Sequence, residues 1–164
     1  MKRLLLLSLA MLSMATFSLH AKTETPDQLL EKILASDSEP DGVIFEIVTG
    51  KDNGLDWALP KTRGYIEKLR KKLPELSIAV VTHGSEQFTL QKKSADKKPK
   101  VHQLTQLLVK DNVPVHVCGT YAGWKGLSAE DFPEYVDVAA AGPAQVNDYI
   151  RLGYVLIKLD SKSK

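Results

Sequence analysis

The chain has 164 residues, with 22 Lys and Arg against 20 Asp and Glu, and a single cysteine. A charge balance this even provides no positive field for nucleic acid, and one cysteine cannot close an internal disulfide. The length suits one domain with one core, stabilised by packing rather than by cross-links.

Residues 1–21 read as a secretory signal peptide. Lys2 and Arg3 precede an apolar run from Leu4 to about Phe17, too short and too serine-punctuated for a membrane span. Cleavage is expected after Ala21, with Ser18 as the competing site. The mature protein is then periplasmic or secreted, has no membrane span, and is formally neutral, because the segment carries two basic residues and no acidic one.

Thr25-Pro26 opens a helix over DQLLEKILAS, with a capping hydroxyl and proline at the first helical position. Leu29, Leu30, Ile33 and Leu34 form one apolar stripe, which covers either the sheet or a dimer contact. With the polar connection that follows, this makes 22–42 an N-terminal helix and linker ahead of an α/β domain over 43–160. The first strand is VIFEIV, Val43–Val48. Apolar except for Glu46, it suits a parallel sheet covered on both faces. The loop Thr49–Gly54 can offer backbone N–H groups to a small anion, but it lacks the glycine patterns of nucleotide sites, so no cofactor is expected.

Ala58–Leu73 reads as a second helix, with Tyr65, Ile66 and Leu69 inward and Lys68, Arg70, Lys71 and Lys72 solvated; Pro74 stops it. Leu76–Thr82 is the second strand and ends at His83-Gly84. Gln91–Lys100 reads as a mobile, charge-rich surface loop. His102–Asp111 is a third helix on Leu104, Leu107 and Leu108, ending near Asn112, and Val113–Val117 is the third strand. Ser128–Asp131 is a capped turn whose partial positive charge would favour a thiolate if it pointed at one. Tyr135–Ala141 is the fourth strand. Ala144–Leu152 is the last helix, with Val146, Tyr149 and Ile150 inward and Gly153 as its cap. Tyr154–Leu159 is the fifth strand, and 161–164 is a frayed tail. The alternation of strand and helix predicts right-handed crossovers and a parallel sheet.

The chemistry concentrates around Cys118, at the C-terminal end of the third strand, the rim where ligands and reactive groups collect in open α/β sheets. It is either a reactive thiol or a small buried apolar residue. His116, two residues earlier, faces the same side while the strand stays regular, and an imidazole beside a thiol favours the thiolate. His116 can equally be a core histidine. His83 ends its strand on the same rim. Cys118, His116 and His83 are therefore the catalytic candidates, with Gly50, Gly84, Gly119 and Lys125 as a candidate ligand rim. No C-x-x-C or H-x-x-x-H spacing supports a metal site, and no nucleophile-elbow pattern surrounds Cys118.

Over 43–159 the chain resembles the DsrE/DsrF-like proteins, in their exported group. The resemblance is carried by VIFEIV, by VVTHG at 80–84, by NVPVHVCGTYAGWKGL at 112–127, and by the downstream run through Tyr149, Arg151 and Gly153-Tyr154. It implies a three-layer α/β/α domain with a five-stranded, mainly parallel sheet, assembled as homo-oligomers from dimer to hexamer. In the sulfur-relay members the cysteine at the place of Cys118 carries a persulfide and passes sulfur to a partner protein; here that partner would be an exported sulfur acceptor. Lys125 stands where an arginine is common in the relay proteins. Two functional readings follow: a sulfane-sulfur carrier or sulfurtransferase acting through Cys118, or a non-catalytic small-ligand or partner-binding module with an inert cysteine.

Overall fold

A computed structural model describes residues 24–163. The expected signal peptide and Lys164 lie outside the described residues. Five strands, β1 (Gly42–Val48), β2 (Ile78–Thr82), β3 (Val115–Cys118), β4 (Asp137–Ala139) and β5 (Tyr154–Asp160), form one sheet in the order β4-β3-β2-β1-β5. Every neighbouring pair is parallel. Among the described residues the helices are α1 (Pro26–Ala35), α2 (Leu55–Lys72), α3 (Pro99–Lys110), α4 (Gly119–Trp124) and α5 (Gly142–Arg151). None of the described helices is long and apolar enough to cross a membrane.

Strand alternation divides the core into two unequal parts. Val43, Phe45 and Ile47 of β1 join Ile78, Val80, Val115 and Val117 under α1, α2 and α3 in the larger one. Ile44, Ala79 and Val81 face the other way, against Val146 of α5. The result is the expected α/β/α sandwich, with α1, α2 and α3 on one face and α5 on the other. Each fully buried Leu or Ile contributes about 2 kcal/mol, so the larger side carries most of the stability.

Helix α1 begins where the sequence indicates, because Thr25 and Gln28 close a capping box. Its Leu30 and Ile33 enter the main core, so the helix covers its own sheet. Several other boundaries differ from the sequence reading. Helix α2 starts at Leu55 rather than Ala58 and contains Pro60; burial of Leu55, Ala58 and Leu59 offsets the backbone hydrogen bond that the proline forgoes. Helix α3 starts at Pro99 and buries Val101, Thr105 and Leu108, which leaves Leu107 44% exposed. Within the charge-rich stretch Gln91–Lys100, Lys92–Ser94 is a 3-10 turn, Gln91 is buried and Pro99 begins α3; the preceding Ser85–Leu90 is a further 3-10 turn. Strand β4 has three residues, and Ile150 of α5 points outward. The Lys61 ammonium donates to the Ser163 carbonyl at 2.6 Å, which ties the C-terminal residues to α2.

Candidate functional site

Cys118 is the last residue of β3 and the cap of α4. Because Val115 and Val117 face the main core, His116 and Cys118 share the α5 face. The Cys118 sulfur accepts the Tyr121 N–H at 3.4 Å, so the first turn of α4 directs a backbone dipole at the thiol. The residue is only 5% exposed. It nonetheless lines a cleft of about 400 Å³ together with His83, Thr120, Tyr121, Trp124, Ala141 and Pro143.

Two residues absent from the sequence reading build this rim. The β2–β3 ladder ends at the pair Thr82 and Val117, which would leave the Cys118 backbone unpaired. The buried Gln87 side chain replaces the missing strand: its Oε1 accepts the Cys118 N–H at 2.7 Å and its Nε2 donates to the Cys118 carbonyl at 3.3 Å. Beside it, the fully buried Glu86 carboxylate accepts the Thr49, Gly50 and Gly84 N–H groups at 3.0, 3.1 and 2.7 Å. It also accepts the hydroxyls of Thr49 and Thr82 at 2.8 and 3.0 Å. Gly50 and Gly84 thus spend their amides on an internal carboxylate and do not line the cleft.

His83 lines the same cleft as Cys118. It stands one residue beyond the last β2–β3 pair, and its Nε2 lies 2.7 Å from Glu46 Oε1. The other Glu46 oxygen is 3.2 Å from the Lys158 ammonium on β5. The His83 hydrogen bond, reinforced by Lys158, holds the Glu46 carboxyl below its ordinary range despite burial. With Nε2–H directed at the carboxylate, Nδ1 is left as the acceptor of the neutral ring. The start of α5 presses on the same imidazole, since a Cβ on Gly142 would lie 2.4 Å from the Cβ of His83.

His116 is engaged elsewhere. Its Nε2 pairs with the Tyr149 hydroxyl at 3.0 Å, its Nδ1 lies 3.8 Å from Asp137, and it is absent from the cleft lining. Burial pushes its pKa down. Gly119 is required by packing, because a Cβ there would meet the Ala139 carbonyl at 2.9 Å. Lys125 sits over the Tyr121 ring at 5.8 Å. Ser128 and Asp131 cap their own turn rather than a turn at the thiol. His102 bonds to Tyr135 and to the Thr89 carbonyl. Among the described residues no group of three or more His, Cys, Asp or Glu side chains is arranged to hold a metal ion.

Fold and site define a parallel α/β/α domain of DsrE-like architecture with a cysteine-bearing cleft at its strand ends. No family model matches the chain, and no curated protein matches it by sequence. Among solved structures, it is similar to MTH1491 of Methanobacterium thermoautotrophicum, described as a protein of unknown function. The TM-score is 0.56 at 21% identity over 71% of this chain and 97% of that one. The YchN protein of E. coli matches with a TM-score of 0.51 at 16% identity, over 72% of this chain and 99% of that one. BT1422 of Bacteroides thetaiotaomicron, a conserved protein of unknown function, matches with a TM-score of 0.50 at 13% identity, over 71% and 94% of the two chains. At these identities the likeness shows the fold, which is DsrE-like.

Proposed function

We propose that this protein is an exported, sulfur-handling member of the DsrE-like group in which Cys118 accepts sulfane sulfur and passes it to an acceptor protein. The supporting observation is that Cys118 and His83 line one cleft, with Glu46 held against the far nitrogen of that imidazole. In the proposed step the thiol gives its proton to the free nitrogen of His83, and the thiolate attacks the outer sulfur of a persulfide donor, R–S–SH. The S–S bond of the donor breaks, Cys118–S–SH forms, and the departing R–S⁻ takes the proton from His83. Glu46 orients the imidazole, the role a carboxylate plays behind a catalytic histidine. Homo-oligomers and an exported acceptor belong to the same reading.

The burial of Cys118 favours a second reading, a ligand- or partner-binding module whose thiol is inert. Intact-mass analysis of non-reduced protein before and after treatment with a sulfane-sulfur donor separates the two. The sulfur reading predicts a gain of about 32 Da per sulfur atom that reductant reverses and Cys118→Ser abolishes. A thiol that reacts with iodoacetamide in the folded protein yet never gains sulfur would rule that reading out.

A further inference from the structure

The walls of the Cys118 cleft restrict what can deliver the sulfur. Of its seven lining residues, Tyr121, Trp124, Ala141 and Pro143 present mainly carbon, and no lysine or arginine is among them. The rings of Phe88, Tyr121 and Trp124 form a ladder with centroid spacings of 5.1 and 6.1 Å, leading from the interior to the mouth. Its outer rung, Trp124, is 78% exposed. A large ring so weakly packed beside a reactive side chain is available to stack on an incoming apolar group.

The nearby charges point the same way. The backbone amides that could have held an anion at this rim are occupied by the Glu86 carboxylate. Glu46 adds a second carboxylate behind His83, and Lys158, the cation nearest to it, is paired with it. Lys125 rests over the Tyr121 ring. A doubly charged inorganic donor entering the cleft would lose hydration and meet no lysine, arginine or free amide nest among the lining residues.

We propose that the cleft binds an aromatic or bulky apolar organic persulfide, with the apolar group between Tyr121, Trp124 and Pro143 and the outer sulfur at Cys118. This rests on the sulfur-carrier reading and names its donor class. Thiosulfate and inorganic polysulfide are the excluded donors. The transfer is Cys118–S⁻ + R–S–SH → Cys118–S–SH + R–S⁻, with R aryl or benzyl. One S–S bond breaks as another forms, and no external oxidant is consumed.

The test has two arms. In the first, benzyl persulfide generated in solution, thiosulfate and inorganic tetrasulfide are compared at equal concentration by initial rate of sulfur gain on Cys118. Benzyl persulfide is expected to react at least about tenfold faster than either anion, and Trp124→Ala or Tyr121→Ala to remove most of that advantage, the effect of losing one stacking contact. Labelling by iodoacetamide in the same variants should stay within about twofold, because that reagent needs no aromatic wall. Equal or faster transfer from an inorganic donor would overturn the donor class and leave the carrier reading intact. No sulfur gain from any donor on a thiol that iodoacetamide labels would overturn both.

The second arm needs no reactivity. Cys118→Ser combined with Trp57→Phe leaves Trp124 as the sole tryptophan of the chain. Benzyl mercaptan, the product of transfer, should quench its fluorescence saturably, whereas thiosulfate at equal ionic strength should not. A flat titration with benzyl mercaptan would refute apolar recognition whatever the kinetics show.

Discussion

Glu86 is the residue whose removal should affect the strand-end rim most. Its carboxylate is the common acceptor for two loops, one after β1 and one after β2, and both bonds from Thr49 N–H and Gly84 N–H are buried. In Glu86→Ala these two donors lose their acceptor at about 1–3 kcal/mol each. The Gly50 N–H is partly solvated and the Thr49 hydroxyl can turn to the Lys51 carbonyl 3.2 Å away, so those groups add less. A loss of about 3–4 kcal/mol is expected, read as a lower urea midpoint at unchanged m and a Tm lower by about 10 °C. Glu86→Gln should lose nearly as much, because donors converge on both carboxylate oxygens and one end of an amide would face them with N–H groups. Formate should restore part of the stability of Glu86→Ala by binding the vacated amides of the folded state, and chloride at equal ionic strength should not. A loss below about 1 kcal/mol for Glu86→Ala would refute the view that this carboxylate holds the two loops together.

Three further perturbations test the parts of the site separately. Gln87→Leu keeps the volume but leaves the Cys118 N–H and carbonyl unpaired; it should cost about 2 kcal/mol and speed native-state labelling of the thiol, and unchanged labelling would deny Gln87 its positioning role. Gly142→Ala drives a methyl into His83 and should slow thiol reactivity, whereas Gly64→Ala in α2, where a Cβ meets nothing within 4 Å, should stabilise the fold by about 0.5–1 kcal/mol. His116 has a folded pKa depressed by burial, so the unfolded chain binds its proton more readily. Its contribution to stability is therefore fully present above about pH 6.5 and is lost as pH falls through the folded value. Asp137 opposes that depression, so Asp137→Asn should lower the His116 pKa further by NMR titration; a rise would mean that the carboxylate 3.8 Å away does not act on the ring.

Of the site, Cys118 and His83 were readable because each ends a β-branched run at a glycine, and parallel strands bring such ends to one rim. Glu46 also left a trace, as the one charged residue in an otherwise apolar strand. The pairing of His116 with Cys118, suggested by their spacing of two, was not realised: α5 brings the Tyr149 hydroxyl to that imidazole. Glu86 and Gln87 left no signal, since two polar residues after a glycine read as an exposed turn. Their burial follows from the 3-10 turn that folds them back between β1, β2 and β3.

What the sequence determined by itself was whatever depends on local period and local chemistry. The apolar strand β1, the capping hydroxyl of Thr25 and the C-terminal cap at Gly153 each rest on residues a few positions apart. The parallel α/β class followed from the order of such elements. Which side chains meet was decided only by the tertiary structure. The Glu46–His83 pair spans 37 residues and the Gln87–Cys118 clamp spans 31. The first depends on strand register, and the second also on a 3-10 turn whose geometry is set by the packing around it. Periodicity specifies which face of an element is buried, but the partner on that face is chosen by the rest of the fold.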